Sequence, residues 1–159
     1  MIQEFKIILD ENSNITEEVK DNILELINLF ASNFKDVKLD TLKERLKSLK
    51  IKRESMYLAK LPCEYKPFNN EIIINIPRFE ECDAKHWLMH ALLGIITAKD
   101  NYYGFNNSDD TFIALNEGYT EIVMTNLISK IIGENTFYEA YFNNDSQRLL
   151  KAMIEAEAK

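Results

Sequence analysis

The sequence predicts an α+β domain: a small mixed sheet of about three strands, helices in the N-terminal part, a pair of helices after the sheet, and a C-terminal helical region. Three observations carry this. Residues 71–76, Glu-Ile-Ile-Ile-Asn-Ile, are rich in β-branched side chains and closed by Pro77, the strongest strand signal in the chain. Apolar residues recur at helical spacing in four other stretches. The chain has 159 residues, 46% hydrophobic and 28% charged, which suits one domain over 1–159 with a sizeable core.

In chain order, residues 2–9 begin with alternation at Phe5 and Ile7 and then become wholly apolar, which reads as a strand. Thr16 is placed to cap a helix whose first turn carries Glu17 and Glu18, where carboxylates complement the helix dipole. Val19, Ile23, Leu26, Ile27 and Phe30 continue that helix to near Asn33. A shorter helix follows Asp40, with Leu42, Leu46 and Leu49 inward. Residues 54–60 read as a second strand and 61–67, punctuated by Pro62 and Pro67, as a loop. The third strand is 71–76. Helices are expected over 81–98 and 111–132, separated by a turn-rich loop at 99–110, and a broken helical region follows Gly133. Gly118 inside the second of these helices costs about 1 kcal/mol relative to Ala, which suggests a close approach there.

The composition narrows the function classes. A net charge of −7 argues against a general nucleic-acid or anionic-membrane binder, which needs a basic surface to displace counterions. Residues 35–60 hold nine Lys or Arg against four Asp or Glu, a run that reads as a solvated helix face or a docking patch for an acidic partner. No apolar run approaches the roughly 18 residues of a membrane helix, the N-terminus has no signal-peptide form, and Cys63 and Cys82 are too few for a disulfide framework. The expected address is the cytoplasm.

The chain's only two histidines are His86 and His90, in His-Trp-Leu-Met-His. Positions four apart on a helix share a face one turn apart, so both imidazoles can reach one metal ion. Glu117 and Glu121, in Asn-Glu-Gly-Tyr-Thr-Glu, repeat the spacing on the next expected helix. Two imidazoles and one of these carboxylates make a three-ligand set that leaves a fourth zinc position open, and the other carboxylate is then available to fix a ligand histidine's tautomer. Without metal, the same carboxylates could hydrogen-bond the histidines and hold the helices together. Cys82 extends the stripe to Cys82, His86 and His90, but its ends would lie about 12 Å apart along a straight helix, too far for one ion.

The pattern His86-x-x-x-His90 followed by Asn116-Glu117-x-x-x-Glu121 resembles the zincin metallopeptidases, in particular the glutamate-ligand branch, the thermolysin-like gluzincins. The resemblance covers about residues 70–130. It implies a two-helix metal-site core, zinc held by His86, His90 and Glu117, and Glu121 as hydrogen-bond partner of His86. It also implies that the strand at 71–76 lies near the substrate-binding sheet edge.

One position departs from the family. Where gluzincins carry the general-base glutamate, this chain has Trp87. Peptide hydrolysis needs a base that takes a proton from the attacking water and returns it to the leaving amine; an indole only donates hydrogen bonds. Since general acid and base work is worth about 10² to 10⁴ in rate, the expectation is a degenerate zincin-like domain without peptidase activity and with no catalytic residue in place. Its inherited cleft would bind a peptide or a partner protein. Two other readings stay open: an active metallohydrolase with a substitute base such as Glu80 or Glu81 and an oxyanion partner such as Tyr138 or Tyr141, and a metal-free structural or interaction module.

Overall fold

A computed structural model describes residues 1–55, 62–76, 84–104 and 113–132; within the last span, side chains are described at 116, 118–120, 122–124, 126–128 and 130. The fold is α+β. Among the described residues five helices, α1 (Ile2–Glu11), α2 (Glu17–Asn33), α3 (Asp40–Ser48), α4 (Ala84–Ile96) and α5 (Ile113–Ile132), accompany strands β1 (Lys50–Glu54), β2 (Cys63–Lys66) and β3 (Glu71–Asn75) and a two-residue-per-strand hairpin, β4 (Ala98–Lys99) with β5 (Tyr102–Tyr103).

The N-terminal segment is a helix where the sequence suggests a strand. Phe5, Ile8 and Leu9 are buried while Ile7 is half exposed, so the burying positions follow i, i+3, i+4 and not alternation. A short apolar run fits either period, and here packing against α2 and α3 decides it. Asn12, just past the helix, is 2% exposed and donates from Nδ2 to the carbonyls of Leu46 (2.8 Å) and Leu49 (2.9 Å). It thereby satisfies carbonyls at the end of α3 that have no partner further along that helix.

α2 and α3 lie where their periodicity puts them. Thr16 takes the N-cap place of α2 with extended backbone, yet its side chain makes no capping hydrogen bond; its carbonyl accepts from Val19 and Lys20. β1 covers Lys50–Glu54, ahead of most of the strand expected at 54–60, whose residues 56–60 lie outside the described residues. The loop expected at 61–67 contains β2, whose Cys63 and Tyr65 are buried in alternation. Pro62 and Pro67 bracket this strand instead of interrupting it.

The sheet order is β1-β3-β2, with β3 parallel to β1 and antiparallel to β2. β3 is therefore the central strand, next to β2 and not itself an edge, which explains why it buries four of its five residues. β2 is the edge that packs on α4.

The turns beside β3 are tied together by one guanidinium. Arg45 donates to the carbonyls of Pro67 (2.8 Å) and Asp100 (2.7 Å), joining the β2–β3 turn to the small hairpin. Asn70 adopts φ +49, a left-handed conformation that Asn tolerates, and donates to the Arg45 carbonyl (2.7 Å) and Ser48 Oγ (3.0 Å) while accepting from the Tyr65 hydroxyl. No helix among the described residues is long and apolar enough to cross a membrane.

Candidate metal centre

α4 is buried on nearly every side: each residue from His86 to Ile95 is shielded from solvent. A helix apolar all round belongs in the middle of a fold, and α4 packs on β2, α2, α3 and α5 at once. Gly94 faces Tyr65 of β2 and Tyr103 of β5; a Cβ there would meet them at 3.4 Å and 3.6 Å, ordinary contact distances.

His86 and His90 are 1% and 5% exposed, one turn apart on this helix. Side chains that polar are seldom buried so fully unless hydrogen-bonded or ligating. Trp87, itself buried, lies beside both, with its ring centroid 5.6 Å from that of His86 at 56° and 5.7 Å from that of His90 at 45°. The indole at the position compared with a general base thus lies against both imidazoles and fills space beside them.

α5 packs against α4 and carries Glu117 and Glu121, whose side chains lie outside the described residues. Their register on the helix is defined. Positions 117 and 121 precede Met124 and Ile128 by seven residues each, almost two full turns, and so share a strip with them. Met124 and Ile128 are 0% and 1% exposed. Gly118 is buried as well. Among the described residues no group of three His, Cys, Asp or Glu side chains comes together as a metal site. The remaining candidates, Glu80, Glu81, Cys82, Tyr138 and Tyr141, also lie outside the described residues.

Other features resolve into structural roles. Cys63 is fully buried on β2, and burial, with a smaller contribution from the charge of Glu64, pushes its thiol up to about 12. A thiol so held is neither a nucleophile nor a ready ligand. In the basic run, Lys43 pairs with Glu4 (2.9 Å), Lys47 with Glu44 (2.7 Å) and Lys52 with Glu54 (3.3 Å), as a solvated face would.

Asn116, quoted above only as part of the motif, proves to be 2% exposed and lodged against Gly104. That contact spans twelve positions, from just after the hairpin to α5, and nothing local in the sequence announces it. No protein-family model matches this chain, and neither does any curated protein or solved structure. The likeness to gluzincins therefore rests on the residues at 86–121 themselves.

Proposed function

We propose that the chain is a catalytically degenerate zincin-like domain, a pseudoenzyme in which His86, His90 and Glu117 hold one zinc ion and Glu121 orients His86. The observation that supports this best is the burial of both histidines on one face of the central helix, packed on the helix that carries the two glutamates. The donor set fits zinc: two imidazole nitrogens and a carboxylate oxygen are its ordinary ligands. Zinc held there would supply Lewis-acid polarisation of a bound carbonyl and a strong tie between α4 and α5.

The chain's own residues explain why hydrolysis does not follow. Trp87 offers only an N–H, so nothing at its position accepts a proton from water, and its ring occupies volume beside both imidazoles. What the two-helix core retains is the capacity to bind, and a peptide or protein segment is the partner the family's cleft would take.

Cobalt substitution tests the ligand set. Metal-free protein given cobalt(II) is expected to develop the visible absorption of a low-coordinate N/O site at one equivalent. His90→Ala and Glu117→Ala are each expected to abolish it, and Glu121→Ala to weaken binding by about 10- to 100-fold. A spectrum unchanged in Glu117→Ala would remove Glu117 from the set. No spectrum from the unaltered chain would leave a metal-free module.

A further inference from the structure

Toward the C-terminal end of α4, away from the histidines, the packing leaves a cavity of about 260 Å³ between α2, α4 and α5. Phe30 and Phe34 form one wall, stacked with centroids 4.8 Å apart and planes 29° from parallel. Leu93 and Ile96 of α4 and Val123 of α5 supply the aliphatic walls. Among the described residues no charged side chain lines it.

Polar side chains in the walls are those of Thr97, Asn116, Tyr119 and Thr120. Thr97 is committed to the backbone: its hydroxyl donates to the Leu93 carbonyl (2.8 Å) and accepts from the Gly104 N–H (3.0 Å). Gly104 has φ +62, and a Cβ there would lie 1.5 Å from Asn116 Oδ1, so the missing side chain at 104 is what admits the carboxamide to the wall. An amide carries two donors and an acceptor with two lone pairs, enough to be anchored in the fold and still meet a ligand.

The dimensions suit an organic molecule. An apolar cavity of about 150 Å³ takes up benzene, so this larger one has room for a fused bicyclic ring. An apolar enclosure with few, placed polar groups is the ordinary make-up of a small-molecule site. An ion seated against these apolar walls without a counter-charge would lose hydration at a cost, so the walls favour an uncharged body.

We infer that this cavity is a binding site for a small uncharged molecule with a flat aromatic or branched apolar body and one hydrogen-bonding group, gripped by Phe30 and Phe34 and met by Asn116. The site is independent of the zinc reading, since none of its residues is a proposed metal ligand.

The test uses indole as probe on the full chain with methyl-labelled Leu, Ile and Val, read by NMR. Saturable shifts are expected at Leu93, Ile96 and Val123, with Ile23 and Leu26 unmoved. Val123→Phe and, as a second filling variant, Ile96→Phe are each expected to weaken indole at least tenfold while metal content is unchanged. Asn116→Ala is expected to weaken indole several-fold and leave indene, its isostere without the N–H, unaffected. Indole-3-acetate is expected to bind at least tenfold more weakly than indole. Absence of saturable shifts at the cavity methyls, equal binding of the anion, or unchanged affinity in both filling variants would overturn the inference. So would binding abolished by a chelator, which would place the probe at the histidines.

Discussion

The indole of Trp87 lies against the imidazole of His90, ring centroids 5.7 Å apart and planes inclined at 45°. The His86 ring lies at 5.6 Å from the same indole, which is 7% exposed, so the ring could not swing out without leaving a hole in the core. Metal-dependent peptide hydrolysis by the natural chain is accordingly expected to sit at background. Trp87→Glu restores the missing proton acceptor and is expected to raise hydrolysis of a casein-derived peptide by about 10² to 10⁴. The same variant loses a packed aromatic, at a cost of about 3–5 kcal/mol, so the assay belongs at low temperature with the fold checked by circular dichroism. Robust activity in the natural chain that disappears in His90→Ala would contradict the degenerate reading.

Asn12 is buried and spends both Nδ2 protons on carbonyls at the end of α3. Asn12→Ala leaves those acceptors without their donors and is expected to lower stability by about 1–3 kcal/mol in urea unfolding, with the slope unchanged. Asn12→Asp is expected to be no better, because an ionised carboxylate cannot donate. Full stability in either variant would remove the link between the first helix and α3.

Gly104 combines a left-handed backbone with a contact that leaves no room for Cβ. Gly104→Ala is expected to destabilise by more than the roughly 1–2 kcal/mol that the conformation alone costs, the excess coming from Asn116. In Asn116→Ala the overlap is gone, so adding Gly104→Ala should then cost only the conformational part. A double-mutant cycle by urea unfolding measures the difference; strictly additive effects would mean the two residues do not meet.

Burial raises the Cys63 thiol from 9.0 to about 12. The folded chain keeps a proton that the unfolded chain gives up from about pH 9, so the contribution to stability is intact below pH 9 and declines as pH rises through 12. Relative to Cys63→Ala, both in a Cys82→Ser background, the natural residue is expected to lose about 2 kcal/mol more between pH 8 and about pH 10.5. Parallel pH profiles for the two proteins would show that the thiol is not desolvated.

Much of this architecture is legible along the chain because it is local. The helices at 17–33 and 40–48 follow from side-chain spacing, the strand at 71–75 from its β-branched run, and the shared face of His86 and His90 from their four-residue separation. The failures are equally physical. Ile2 to Leu9 is too short and too apolar for its period to be unambiguous, and tertiary packing selects the helix. β2 hides between two prolines that lie just outside its ladder. The central place of β3, the clamp by Arg45 and the lodging of Asn116 against Gly104 depend on partners well separated in sequence, which no short window of the chain contains.

The most direct measurement is zinc content, by elemental mass spectrometry, of protein purified without an affinity tag, beside His90→Ala prepared in the same way. About one zinc per chain, lost in the variant, is the expected result. No zinc in the natural chain, even after incubation with excess zinc and removal of the unbound ion, would contradict the metal centre and leave His86 and His90 as buried, hydrogen-bonded members of the core.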